Sequence, residues 1–151
     1  MNISIFGLGY VGCISAGCLA KLGHSIIGVD LSTQKVDQIN RGEPTIIEES
    51  IDGIIADGHG KGKITATTIT KDAVIESEVS IICVGTPSGV NGHLDLSAVQ
   101  AVSEQIGLAL LEKNSFHTII IRSTVMPGTN SKITESIAKI SGKKPNIDFA
   151  V

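Results

Sequence analysis

Ile3-Ser4-Ile5-Phe6-Gly7-Leu8-Gly9-Tyr10-Val11-Gly12 decides the fold. An apolar run enters a G-x-G-x-x-G turn, and a stretch of helical character follows. Gly7 permits the tight turn out of the strand, Gly9 lets backbone approach a pyrophosphate, and Gly12 lets the helix pack closely on the sheet. The phosphates then face a helix N-terminus. Unpaired N–H groups and the positive end of the helix dipole stabilise an anion there without any Lys or Arg. The stretch predicts a dinucleotide-binding turn.

The same fingerprint requires an acidic residue about 20 positions on, at the end of the second strand. Asp30 closes Ser25-Ile26-Ile27-Gly28-Val29-Asp30 and lies 18 residues beyond Gly12. Its carboxylate accepts from the 2′-hydroxyl of an adenosine ribose and repels a 2′-phosphate, and no Arg follows at once. NAD is favoured over NADP.

Outward from the turn, strand and helix patterns alternate. Strands are expected at 2–6, 25–29, 63–67, 79–84, 118–122 and 147–151. Helices are expected at 10–22, 32–40, 48–57, 70–75, 96–112 and 129–140, with Ser32, Thr70 and Asp95 as N-terminal caps and Gly58, Gly60 and Gly62 opening a turn. This alternation predicts an α/β fold: a Rossmann-type doubly wound parallel sheet of six strands in the order 3-2-1-4-5-6, with right-handed crossovers and helices on both faces. The chain of 151 residues suits one domain.

Composition narrows the class. Hydrophobic residues make up 42% and aromatic residues only 3%, so the core must be aliphatic, as in parallel sheets covered on both faces. A net charge of −3, with its 12 basic residues spread along the chain, gives no electrostatic footprint for nucleic acid. No apolar stretch approaches the roughly 20 residues that span a bilayer. The N-terminus opens directly on a strand, with no basic lead before an apolar segment, so a cytoplasmic protein without membrane partners is expected.

Cys13, Cys18 and Cys83 are odd in number and lack metal-ligand spacing, and all three read as small buried hydrophobes. His24 and His117 precede strands and His59 sits among glycines, which suggests solvated or capping roles. His93 falls in the loop after the fourth strand.

Ligands of such a sheet bind beyond the carboxyl ends of the strands, where strand order reverses. The fourth strand runs out in Cys83-Val84-Gly85-Thr86-Pro87 and the fifth in Arg122-Ser123-Thr124-Val125-Met126-Pro127-Gly128. Thr86 and Thr124 offer hydroxyls at these ends. By composition alone they read equally well as ordinary turn residues.

Several ordered stretches resemble the nucleotide-sugar 6-dehydrogenase family: residues 6–12, Gly28-Val29-Asp30, Cys83-Val-Gly-Thr-Pro-Ser88, Asn91-Gly-His-Leu-Asp-Leu96 and Arg122-Ser-Thr-Val-Met-Pro-Gly-Thr129. The similarity covers essentially the whole chain and is greater to the branch acting on GDP-mannose than to that acting on UDP-glucose. It implies an NAD-dependent oxidoreductase that converts a sugar C6 alcohol to the carboxylate, GDP-mannose to GDP-mannuronate, with two NAD reduced per sugar. It implies, too, that backbone at Tyr10 and Val11 meets the pyrophosphate, that Asp30 and Lys35 reach the adenosine ribose, and that Thr86 and Thr124 lie beside the nicotinamide. Thr124 would also help order water or substrate during oxidation. Read without the resemblance, Lys35 is a solvated helix residue.

The resemblance places the catalytic thiol and the sugar-nucleotide site in later domains. Residues 1–151 then correspond to the NAD-binding domain, inactive alone and monomeric, of a longer homodimeric enzyme in polysaccharide biosynthesis. One departure stands out: the family continues Glu-Pro-Gly where this chain has Glu48-Glu49-Ser50. Two other readings share parts of the pattern, a noncatalytic NAD-binding module and an S-adenosylmethionine-dependent methyltransferase. The second seldom has the compact spacing of Gly7, Gly9 and Gly12.

Overall fold

The computed structural model describes residues 1–89 and 92–151. Asn91, the first residue of one family-like stretch, lies outside them. Six parallel strands form one sheet in the order β3-β2-β1-β4-β5-β6. They are β1 (Asn2–Phe6), β2 (Ser25–Val29), β3 (Ile64–Thr67), β4 (Val79–Ile82), β5 (His117–Ile121) and β6 (Phe149–Ala150). Between them run α1 (Tyr10–Lys21), α2 (Thr33–Asn40), α3 (Ile51–Gly60), α4 (Thr70–Glu76), α5 (Ser97–Leu110) and α6 (Thr129–Ser141). The expected order is realised, and strand order reverses between β1 and β4.

Alternation within the strands sends side chains to two aliphatic cores. On one face Ile3, Ile5, Ile26 and Ile64 meet Leu8, Cys13, Ala16 and Ala20 around α1, and Ile51 and Ile55 from α3. On the other, Phe6, Ile82, Ile119 and Phe149 pack with Val74, Val99, Ile106, Leu110, Ile133 and Ile137 from α4, α5 and α6. Burying an Ile or Phe stabilises by roughly 1.5–3 kcal/mol, so these two layers hold the sheet rigid beneath its ligand edge. Among the described residues, no helix is long and apolar enough to cross a membrane.

Several boundaries differ from expectation. Helix α3 starts at Ile51 rather than residue 48, because Ser50 takes a φ of +70°, which ends any helical run. It continues through Gly58, where a Cβ would come within 2.6 Å of the Ile64 side chain. Gly58 therefore serves close helix–sheet packing, Gly60 closes the helix, and the turn comes at Gly62, φ +65°. Thr70 does not cap α4. The N–H of Ile69 is taken by the Thr67 hydroxyl at 3.0 Å. Asp95 keeps a capping role, accepting from the Ser97 N–H at 2.9 Å, with the helix opening at Ser97. The fourth and sixth strands are shorter than their apolar runs. Cys18 is exposed on the outer side of α1, whereas Cys13 is buried beneath it.

One buried polar network was not anticipated. His117 is fully buried at the start of β5, with Nε2 2.8 Å from the Ser80 hydroxyl. Ser80 in turn meets Ser4 at 2.7 Å, and Ser77 donates to Ser4 at 3.0 Å. Burial, with the Lys113 charge nearby, pushes His117 down to about 4. Lys113 is itself buried, donating from Nζ to the carbonyls of Val74 (2.7 Å), Ile75 (3.3 Å) and Ser77. Its ammonium closes the carbonyl end of α4, where the helix dipole favours a cation.

Candidate functional site

The turn between β1 and α1 is constrained by its own backbone. Gly7 has a φ of +93°, and its N–H donates to the Val29 carbonyl at 2.8 Å. A Cβ at Gly12 would lie 1.8 Å from the Gly7 carbonyl oxygen, so no side chain fits. Sequence reasoning assigned Gly12 to helix–sheet packing, but the atom it must clear belongs to the turn itself. Gly9 is different: a Cβ there would meet nothing within 4 Å. Open space lies outside the turn, at the start of α1, and Gly9 as N-cap has no side chain to satisfy the first N–H groups. An anion reaching Gly9, Tyr10 and Val11 finds free donors and the positive helix end.

Asp30 lies beside this turn. Its Oδ2 accepts from the Leu8 N–H at 2.7 Å and from Lys35 Nζ at 3.3 Å, and Oδ1 accepts from the Ser32 N–H at 2.9 Å. A carboxylate offers about four acceptor positions, so one remains for a ligand hydroxyl. Lys35 is placed by its helix: Ser32 caps α2 by accepting from the Lys35 N–H, and the side chain folds back to Asp30. The sequence-predicted pair is thus brought together with the turn.

Beyond Asp30 lies a cleft of about 280 Å³. Phe6, Val29, Leu31, Val84, Ala98 and Val102 give it apolar walls, and Thr68, Thr70 and Gln105 form a polar part of the lining. The Thr70 hydroxyl donates to Gln105 Oε1 at 2.7 Å. A cleft of this size and apolar lining beside Asp30 could hold a flat ring system. Sequence reading missed its α5 wall, Ala98, Val102 and Gln105; a helical stripe gives no sign of which small residues face a cleft.

On the other side of the turn, the ends of β4 and β5 are stitched together. The Thr86 hydroxyl donates to the Thr124 carbonyl at 3.0 Å, and the Ser123 hydroxyl to the Val84 carbonyl at 2.6 Å. Thr86 has spent its proton, so its oxygen is left as an acceptor; among the described residues the Thr124 hydroxyl has no partner. Cys83 sits just inside, its Cβ 3.5 Å from where a Cβ of Gly12 would be. Burial pushes its thiol up to about 11, partly opposed by Arg122, which keeps it neutral and unlike an activated nucleophile.

A glycine turn on a helix N-terminus, an acidic residue at the end of β2 and an apolar cleft at the switch point define a dinucleotide-binding Rossmann domain. Comparison with known proteins narrows this class. Residues 1–151 match the model of the UDP-glucose/GDP-mannose dehydrogenase family, NAD binding domain. The chain belongs to that family, and it is an NAD-binding domain of the kind that model describes. GDP-mannose 6-dehydrogenase of Pseudomonas aeruginosa is 49% identical over 152 residues, covering 100% of this chain and 35% of that protein. UDP-glucose 6-dehydrogenase of the same organism is 34% identical over 137 residues, covering 91% and 30%. The crystal structure of a ternary complex of GDP-mannose dehydrogenase from P. aeruginosa superimposes with a TM-score of 0.97 at 49% identity, over 100% of this chain and 35% of that one. That of a UDP-glucose dehydrogenase from Pyrobaculum islandicum gives 0.90 at 30% identity, over 98% and 34%. The chain spans about a third of the length of the relatives it matches.

Proposed function

We propose that residues 1–151 form the NAD-binding domain of a longer enzyme that oxidises the C6 alcohol of GDP-mannose to a carboxylate. The carrying observation is the match of all of residues 1–151 to part of GDP-mannose 6-dehydrogenase at 49% identity, against 34% for UDP-glucose 6-dehydrogenase. Bound NAD supplies a hydride acceptor. In this reading the N–H groups of Tyr10 and Val11 bind the pyrophosphate, with Gly7, Gly9 and Gly12 keeping the approach open. Asp30 accepts from the adenosine ribose, while Lys35 neutralises the carboxylate and reaches the same sugar. Thr86 accepts from the nicotinamide carboxamide through the lone pairs its own bond leaves free. Thr124, with an uncommitted hydroxyl beside it, orders water or the sugar hydroxyl at the reacting carbon.

Among the described residues no activated thiol stands at this end of the sheet, Cys83 being held neutral by burial, and in this reading covalent capture of the oxidised sugar belongs to another part of the longer protein. That protein is proposed to be a cytoplasmic homodimer. Calorimetric titration of the chain with NAD and NADP tests the cofactor assignment, since the sequence has no Trp to report binding. Saturable NAD binding that is lost in Asp30→Ala, and weaker NADP binding by the wild-type chain, are expected. NADP binding as tightly as NAD would overturn the role given to Asp30.

A further inference from the structure

Residues 41–50 cross from α2 to α3 beside the glycine turn, tied to it at two points. The Thr45 hydroxyl donates to the Leu8 carbonyl at 2.6 Å. The Tyr10 phenol donates to Glu48 Oε1 at 2.7 Å. These bonds join the turn that faces the pyrophosphate to a segment 37 and 38 residues away in sequence. Beyond Ile46 the strap has little else to hold it. Ile47 is fully exposed, Glu48, Glu49 and Ser50 are exposed, and among the described residues no other side-chain hydrogen bond reaches 46–50. The carboxylate in turn holds the phenolic proton, raising the Tyr10 pKa.

We propose that Glu48 is a positioning residue of the dinucleotide site: by accepting from Tyr10 it clasps the strap against the glycine turn and slows cofactor departure. This rests on the NAD-binding reading above. Tyr10 has two separate duties. Its backbone N–H belongs to the first turn of α1, and its phenol anchors the strap. Removing the phenol oxygen leaves the first untouched and frees the second.

NADH is the probe, because its own fluorescence reports binding and its displacement by excess NAD gives a dissociation rate by stopped flow. A net contribution typical of one hydrogen bond corresponds to about two- to tenfold in that rate. Tyr10→Phe is expected to speed NADH departure within this range while lowering the stability of the free protein by no more than the worth of one exposed hydrogen bond. Glu48→Ala should do the same, and the double variant should be no faster than either single one, because both remove one bond. Glu48→Gln keeps an acceptor for the phenol and should stay near the wild-type rate. A Tyr10→Phe rate equal to wild type, or single effects that multiply in the double variant, would overturn the clasp. Absence of NADH binding by the wild-type protein would instead overturn the site assignment on which the clasp depends.

Discussion

Acidification between about pH 6.5 and 5 should destabilise this protein through one residue. His117 is fully buried, its Nε2 engaged with Ser80, and among the described residues its Nδ1 has no hydrogen-bond partner. Its folded-state value is pushed down to about 4, against about 6.5 in an unfolded chain. The unfolded state therefore binds the proton first. The stability contributed by the neutral ring is fully present above pH 6.5 and is lost as pH falls toward 4. At 1.36 kcal/mol per pH unit, this comes to about 2 kcal/mol by pH 5 and about 3 kcal/mol by pH 4. Carboxylates whose folded values are depressed, such as Asp95, change stability in the same direction, but only as pH falls through and below the ordinary carboxylate range. The upper window therefore isolates His117. Urea unfolding followed by circular dichroism, at steps from about pH 7.5 to 5, measures the slope. His117→Gln, which keeps a partner for Ser80 and cannot titrate, should lose most of it while lowering stability at neutral pH. A wild-type slope near zero, or the same slope in His117→Gln, would refute the reasoning.

Asp30→Ala removes the acceptor of the Leu8 and Ser32 N–H groups as well as that proposed for the ribose, so the free protein should lose about 1–3 kcal/mol in urea unfolding along with NAD binding. Gly9→Ala and Gly12→Ala should separate folding from binding. The first places a methyl in open space and should melt like wild type yet bind NAD weakly in calorimetry; the second places one 1.8 Å from the Gly7 carbonyl and should lower both melting temperature and affinity. Ser50→Gly relieves a left-handed φ of +70° and should stabilise by about 1 kcal/mol, read from the urea midpoint; a loss of stability would show that Ser50 is held there by contacts of its own.

The parts legible in the sequence are those set by spacing along one stretch of chain. Gly7, Gly9, Gly12 and Asp30 lie within a single β-α-β unit, where each residue's role follows from its distance to the next. The alternating apolar runs fixed the sheet order for the same reason, since crossover handedness and short connections leave few topologies. Lys35 was placed by resemblance; its reach to Asp30 follows from the Ser32 cap, which starts the helix so that the third residue beyond the cap turns back over the strand end.

Other features were misread because they depend on what distant segments bring opposite a residue. His117 reads as a polar residue ahead of a strand, and only its register beside Ser80, with Lys113 closing α4, makes it a buried base that resists protonation. Residues 48–50 continue an apparent helical pattern, and the left-handed turn at Ser50 breaks it. Gly12 looked like a packing glycine until the turn folded back over it. The Tyr10–Glu48 bond and the Thr70–Gln105 bond join residues 38 and 35 positions apart, and periodicity carries no information at that range. The sequence by itself determined a Rossmann sheet and the glycine turn with Asp30 beside it, because those depend on local backbone geometry and on the period of apolar side chains. Tertiary structure alone decided which polar groups are buried, which are strapped together and which remain free for a ligand, because desolvation and hydrogen-bond pairing are set by whatever the fold places within about 3 Å.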